Sequence, residues 1–292
     1  MRVTVCELPH EPAALEAAWS ALCDHTIRRA SELVLLPEFA MLDPIWQEER
    51  FDRARWAALE RLSHAWSARL HELKAAQVVG TWPVTIGGRP FNQGFFWSVA
   101  EGLVPLRRKF FLPNEPGNWE ARWFDRGDAD FIEYYSAACS FSLNICTELW
   151  AVETYARYAA RGVQLILSPR ATAAATTAKW LSIGVVAAVR SGAFSLSSNR
   201  VDPSGACGGV GWIIDPTGGV LACTSSDAPF VTVEIDLAAS AAARIAYPGY
   251  VLNERRCEHG AHGVKPPRIL ATIGEGNDSA VRRSTVVRTS DS

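Results

Sequence analysis

Short apolar runs alternate with helix-length amphipathic segments along both halves of this chain, and that alternation restricts the fold more than any other feature. The chain opens with a strand, Val3-Thr4-Val5-Cys6. A helix from about Ala13 to Arg29 follows, with Leu15, Ala18, Trp19 and Leu22 on one face. Leu33 to Leu36 reads as a second strand, ended by Pro37-Glu38. Phe51 to Lys74 is predicted as one long helix, because Trp56, Leu59, Leu62, Trp66, Leu70 and Leu73 recur at helical spacing. A tryptophan stripe at that spacing reads as core rather than as a ligand box. Val78 to Trp82, Phe91 to Val99 and Leu103 to Arg108 read as strands between Gly and Pro punctuation.

The second half repeats the alternation. Asn144 to Leu167 is predicted as strand, helix and strand, with the helix from about Thr147 to Arg161. A second apolar helix spans about Thr176 to Ser191. The rest reads as strands at Phe194 to Ser198, Gly211 to Asp215, Gly219 to Ala222 and Phe230 to Ile235, with a hairpin turn at Pro216-Thr217-Gly218-Gly219. No internal repeat or composition shift divides the chain. The simplest packing is therefore one α/β domain over residues 1–273, with two central sheets and helices outside. Residues 274–292, rich in Ser, Thr, Arg and Asp, read as a mobile tail.

Composition excludes several classes of function. A net charge of −2 gives no electrostatic footprint for nucleic acid. Apolar runs such as Ile183 to Val189 are too short to span a bilayer, so no membrane partner is expected. The opening MRVTVCELPHEP lacks the basic and apolar regions of a secretory leader. Seven cysteines without a C-x-x-C argue against a disulfide framework and fit a reducing cytoplasm.

Four residues carry the chemistry. Glu38 follows directly on a buried strand, where α/β proteins place ligands and where burial suits a carboxylate to general-base work. Lys109, in Arg107-Arg108-Lys109-Phe110-Phe111-Leu112-Pro113, reads as an ammonium against an apolar wall, able to stabilise developing negative charge. Glu120 opens a second acidic stretch, Glu120-Ala121-Arg122-Trp123-Phe124-Asp125-Arg126-Gly127-Asp128. Cys146 ends the run Phe141-Ser142-Leu143-Asn144-Ile145 ahead of the predicted helix. A thiol on such a turn is expected to be exposed at a sheet edge, and the helix dipole would favour its thiolate. Taken alone, Cys146 reads first as a small inert core residue, and the other chemistry-bearing segments reverse that reading.

At these segments the chain resembles the nitrilase superfamily of carbon–nitrogen hydrolases. The family pattern has a Pro-Glu pair ending an early strand, a lysine in an Arg-Lys-x-x-Leu run, and a cysteine preceded by Ile. Glu38, Lys109 and Cys146 match these in order, and Glu120 stands where the family carries a further glutamate. Glu153, the strand Gly162 to Pro169, Ser198-Asn199-Arg200 and Ile214-Asp215-Pro216-Thr217-Gly218 add agreement over roughly residues 1–256. The resemblance implies an αββα sandwich and a homodimer or higher homo-oligomer, with Thr176 to Ser191 as a candidate dimer face. It implies a Glu38–Lys109–Cys146 triad acting on a small-molecule amide or nitrile without metal or organic cofactor. Glu120 would orient Lys109 or the substrate, with Glu115 as its competitor. The backbone N–H of Thr147 would complete an oxyanion site.

Where many family amidases have an aromatic residue and an aspartate after the cysteine, and the nitrile branch has Trp-Glu, this chain has Thr147-Glu148. Glu148 is thus a candidate substrate contact, and the branches stay open: amidase first, then nitrilase, then carbamoyl-amide hydrolase. A catalytically silent, metabolite-binding relative is the alternative from another class. Residues 170–179, RATAAATTAK, lie where substrate-facing loops are expected and give no specificity by themselves. Cys257-Glu258-His259 with His262 has crude metal-ligand spacing but reads as a loop, and Gly205 to Gly211 lacks the lysine of a phosphate loop.

Overall fold

A computed structural model describes residues 1–253 and 268–269. The elements run β1 (Arg2–Leu8), α1 (Pro12–Arg29), β2 (Leu33–Leu35), α2 (Arg53–Ser67), β3 (Gln77–Ile86), β4 (Arg89–Ser98) and β5 (Gly102–Arg108). There follow α3 (Glu120–Trp123), β6 (Glu133–Tyr135), β7 (Ser140–Leu143), α4 (Glu153–Arg161), β8 (Leu165–Arg170), α5 (Thr177–Ser191) and β9 (Phe194–Arg200). The chain continues through β10 (Trp212–Ile214), β11 (Val220–Cys223), β12 (Phe230–Glu234), α6 (Ala238–Ile245) and α7 (Gly249–Asn253), with β13 at Arg268–Ile269. The expected domain end at 273 and the tail at 274–292 lie outside the described residues, as does the Cys257 to His262 segment.

Strand pairing builds two sheets joined at one seam. The first has the order β12-β1-β2-β3-β4-β5, with β1, β2 and β3 parallel and the rest antiparallel. The second has the order β13-β6-β7-β8-β9-β10-β11, with β7, β8 and β9 parallel at its centre. Glu7 pairs Asn199 and Leu8 pairs Arg200, which joins the sheets along β1 and β9 into one curled surface.

The two-residue period of each strand sorts side chains into layers. Val3, Val5, Leu33, Leu35, Leu165, Leu167 and Ile213 face inward and pack between the sheets. Cys6, Leu8, Val34 and Leu36 face outward against Leu15, Trp19 and Leu22 of α1 and Trp66 of α2. Ile166, Trp212 and Ile214 pack on the other side against Tyr155 and Tyr158 of α4 and Ala187 and Ala188 of α5. The result is the expected four-layer αββα sandwich. Burying side chains of this size stabilises the fold by about 1.5–3 kcal/mol each.

Local chemistry sets the helix ends. Glu11 accepts from the N–H groups of Ala13 and Ala14 and Pro12 opens α1, while Asp52 caps α2 through Ala54 and Arg55. Gly162 (φ +71°) and Gly192 (φ +60°) close α4 and α5 in the left-handed region.

Three expectations need correction. The helix predicted from Phe51 to Lys74 stops at Ser67, and a 3-10 turn at Leu70–Leu73 follows. Its stripe divides accordingly: Trp56 and Leu59 face one cluster, Trp66, Leu70 and Leu73 another, and Leu62 is exposed. The break coincides with Arg69, whose guanidinium is drawn to Glu16 and Glu72. The helix predicted from Thr147 is a 3-10 turn at Cys146–Trp150, with α4 starting only at Glu153. Finally, α6 and α7 occupy a stretch read only as strand-rich; Ala-dominated α6 lacks the large apolar residues that make periodicity visible. Among the described residues no helix is long and apolar enough to cross a membrane.

Candidate active site

The site forms beyond the C-terminal ends of β2, β5, β7, β8 and β9. Glu38 lies just past β2 and is buried. Its backbone N–H donates to the Arg170 carbonyl at 3.2 Å, which ties the first sheet to the second at this point. Phe39, next in the chain, sits at φ +46°, a strained conformation for an aromatic residue. Thr81 Oγ1 accepts from its N–H at 2.9 Å, and Arg200 Nη1 donates to its carbonyl at 3.0 Å. Those two bonds hold the bend that turns Glu38 inward.

Lys109 follows directly on β5 and is completely buried. Its Nζ donates to Glu38 Oε1 at 2.8 Å and lies 2.8 and 2.7 Å from the two carboxylate oxygens of Glu120. Asn92 Nδ2 donates to the same Glu38 oxygen at 2.7 Å. Glu120 reaches Lys109 because α3 and the stretch after it fold back along β5. A Cβ on Gly127 would meet the Arg108 carbonyl oxygen at 2.4 Å, so only glycine permits that approach. Asp128 then pairs with Arg108 at 3.0 Å. The competitor, Glu115, is exposed at the mouth of the cavity.

Electrostatics distinguish the groups. Burial alone would drive the proton off Lys109, but the charges of Glu120 and Glu38 outweigh it and raise the pKa above the usual lysine value. Burial pushes Glu120 up to about 8; Lys109 opposes the rise and Glu38 adds to it. Cys146 is raised above the ordinary thiol range, first by burial and then by Glu38, against the pull of Lys109 and the N–H of Ala171.

Cys146 therefore departs from the sequence expectation in two respects. It is 4% exposed, at the end of β7, which lies between β6 and β8 and not at a sheet edge. No long helix begins at it, so no macrodipole lowers its pKa. Its backbone, at φ +48°, bends sharply out of the strand into the 3-10 turn. Thr147 is in the first turn, whose N–H groups have no acceptor within the turn.

Glu148 is the clearest correction. It does not line the cavity. Its Oε1 accepts from Arg107 Nη2 at 2.9 Å and Phe110 N–H at 2.7 Å. Its Oε2 accepts from Arg107 Nη1 and from Ile145 N–H at 2.9 Å. All four acceptor positions are taken, so Glu148 fastens the Cys146 turn to the end of β5 and has nothing left for a substrate.

A cavity of about 410 Å³ opens on this cluster. Cys146, Thr147 and Glu120 line its floor, Trp46 and Trp180 are among its walls, and Ala171, Thr172, Ala173 and Cys207 complete one side. Part of the unread stretch 170–179 thus does face the cavity. Among the described residues no group of three or more His, Cys, Asp or Glu could hold a metal ion. The arrangement offers a thiol, a carboxylate able to exchange its proton, and a fixed ammonium beside them.

The class the fold and site define is a four-layer α/β sandwich with a buried acid, lysine and cysteine beyond its strand ends. The carbon-nitrogen hydrolase family model matches residues 2–245, and the chain belongs to that family, part of the nitrilase superfamily. A comparison with curated protein sequences finds no match. Among solved structures, a carbon-nitrogen hydrolase from Helicobacter pylori G27 superposes with a TM-score of 0.74 at 19% identity, over 88% of this chain and 96% of that one. An amidase from Nesterenkonia sp. AN1 has a TM-score of 0.68 at 18% identity, over 88% and 97%. A CN-hydrolase superfamily protein from Xanthomonas campestris, with an arsenic adduct in its active site, has 0.70 at 17%, over 91% and 99%. At these identities the likeness establishes the fold.

Proposed function

We propose that this carbon–nitrogen hydrolase cleaves a small amide through a covalent cysteine acyl-enzyme and releases ammonia. The observation that carries the reading is Lys109, fully buried between Glu38 and Glu120 beside a cavity that Cys146 lines. Glu38 takes the thiol proton as Sγ attacks the carbonyl carbon, so a neutral thiol in the resting state suits the step. Lys109 Nζ and the Thr147 N–H hold the oxyanion. Glu38 returns the proton to the nitrogen, the C–N bond breaks and ammonia leaves a thioester. Glu38 then takes a proton from water, hydroxide adds to the thioester, and the acid departs as Cys146 regains its proton.

A solved form of the Nesterenkonia amidase carries a covalent addition at its active-site cysteine, which supports the same role for Cys146 here. Ammonia release from matched amides, ureides and nitriles tests the reading. Turnover of none of them would favour a silent binding relative. We extend the proposal to a homodimer: Val186 on α5 and Tyr250, Val251 and Leu252 on α7 leave apolar surface exposed, and α5 contacts α7. Light scattering on the purified protein checks it, and a monomer at micromolar concentration refutes it.

A further inference from the structure

Arg170 ends β8 and is 1% exposed. Among the described residues no carboxylate lies within ion-pair distance of it, which is unusual for a buried guanidinium. Its hydrogen bonds go to neutral groups: Nε to Ser197 Oγ at 2.6 Å, Nη1 to Thr172 Oγ1 at 2.7 Å and Nη2 to the Val210 carbonyl at 2.5 Å. The guanidinium also stacks on Trp212, 4.0 Å from the ring centroid. These bonds lock three pieces of chain: β9, the stretch after β8, and the loop that carries Cys207 to the cavity.

The backbone of the same residue lies between the two reacting groups. The Arg170 carbonyl accepts from Glu38 N–H at 3.2 Å. The other end of that peptide belongs to Ala171, which lines the cavity together with Cys146, and its N–H draws the Cys146 pKa down. One peptide plane thus bonds the carboxylate segment and stands beside the nucleophile. The nearest compensating acid is reached indirectly. Val210 stands at φ +61°, a strained position for a β-branched residue. Arg170 holds its carbonyl, while Glu7 Oε1 accepts from its N–H at 2.7 Å. Glu7 and Arg170 therefore form a charge pair with Val210 between them, and neither charge cancels the other at contact.

We propose that Arg170 is a positioning residue for the cysteine chemistry: it clamps the Arg170–Ala171 peptide between Glu38 and Cys146 and holds a fixed positive charge behind the nucleophile. The proposal rests on the cysteine-nucleophile reading above. The charge favours the thiolate as it forms, and the clamp keeps the Ala171 N–H aimed at the sulfur. Burial lowers Arg170 to about 9, so it remains charged at neutral pH. Thr172, whose Oγ1 accepts from Arg170, keeps its hydroxyl proton for a group in the cavity.

Iodoacetamide labelling of Cys146 at pH 7, where Arg170 is charged, tests the idea, with the site located by peptide mass spectrometry. Arg170→Met should slow Cys146 labelling by about tenfold. Glu7→Gln keeps the acceptor for Val210 but removes the opposing charge, so it should speed labelling. Arg170→Lys keeps the charge without the planar fork and should fall between wild type and Arg170→Met. In turnover, Arg170→Met should lower kcat while KM changes little. A folded Arg170→Met protein that labels at the wild-type rate would overturn the proposal. So would slower or unchanged labelling in Glu7→Gln, which decides the matter if Arg170→Met does not fold. Failure of wild-type Cys146 to label ahead of Cys139 would instead defeat the nucleophile reading itself.

Discussion

Two buried ion clusters start two residues apart on the same strand end, and they are built differently. Arg107 and Glu148 form a closed pair: one guanidinium meets one carboxylate, and two backbone N–H groups fill the remaining acceptor positions. Lys109 forms an open cluster: one ammonium serves two carboxylates, and Glu120 holds its proton up to about 8. The closed pair faces protein on every side, whereas Glu120 of the open cluster lines a cavity. A satisfied pair has no proton to exchange and fixes geometry. An unbalanced cluster beside empty space is where protons move.

The contrast predicts which measurement each substitution disturbs. Cys146→Ala should have the largest effect, cutting turnover by a factor of about 10⁴ or more while the melting curve stays near wild type. Cys139→Ala, buried but outside the cavity, should retain most activity; equal losses in the two variants would break the assignment. Glu38→Gln comes next, with kcat falling by about 10²–10⁴. A variant that keeps wild-type kcat would remove Glu38 as the base.

Arg107→Met addresses the closed pair and should act mainly on stability, by about 3–5 kcal/mol, because Glu148 is left charged and buried without its partner. Denaturant unfolding measures this. A variant as stable as wild type but inactive would move Arg107 and Glu148 into the chemistry. Glu120→Gln tests the open cluster through pH. An acid whose folded pKa lies above its unfolded value contributes less stability as pH rises from the unfolded value toward the folded one, here from 4.5 to about 8. The variant should therefore gain on wild type across that window, by at most about 1.4 kcal/mol per pH unit. A constant difference between the two proteins would show that Glu120 does not hold the proton.

The smallest effect concerns substrate. Matched amide and nitrile pairs should differ in kcat/KM by about tenfold or more in favour of the amide, about 1.4 kcal/mol. The basis is Thr147, which stands where the nitrile branch has tryptophan. A nitrile preference of the same size would reverse the reading. It would not restore Glu148 as a substrate contact, since that carboxylate is fully engaged.

What was legible in the sequence follows the same division. Strands showed because their side chains alternate between two apolar layers, as Val34 does between Leu33 and Leu35. Glu38, Lys109 and Cys146 were visible because each lies within three residues past the end of a strand, a position that local pattern reveals. Glu148 was misread because its partner, Arg107, is distant in sequence and only the packing of one sheet on the other brings them together. The breaks at Ala68 and Ala151 were hidden because alanine suits a helix; tertiary partners, not propensity, end those helices. Arg170 left no signal at all, since a lone arginine in a small-residue stretch reads as a solvated cation.

The bond from Glu38 N–H to the Arg170 carbonyl has a mechanical consequence. Glu38 and Lys109 are mounted on one sheet and Cys146 on the other, so the gap between the proposed base and the proposed nucleophile is also the gap between two slabs. Any loss of volume in the layer between them, such as Leu167→Ala, lets the slabs settle toward each other. Reactivity then becomes a caliper for the thickness of the sandwich, readable far from the site and under pressure as well as by mutation.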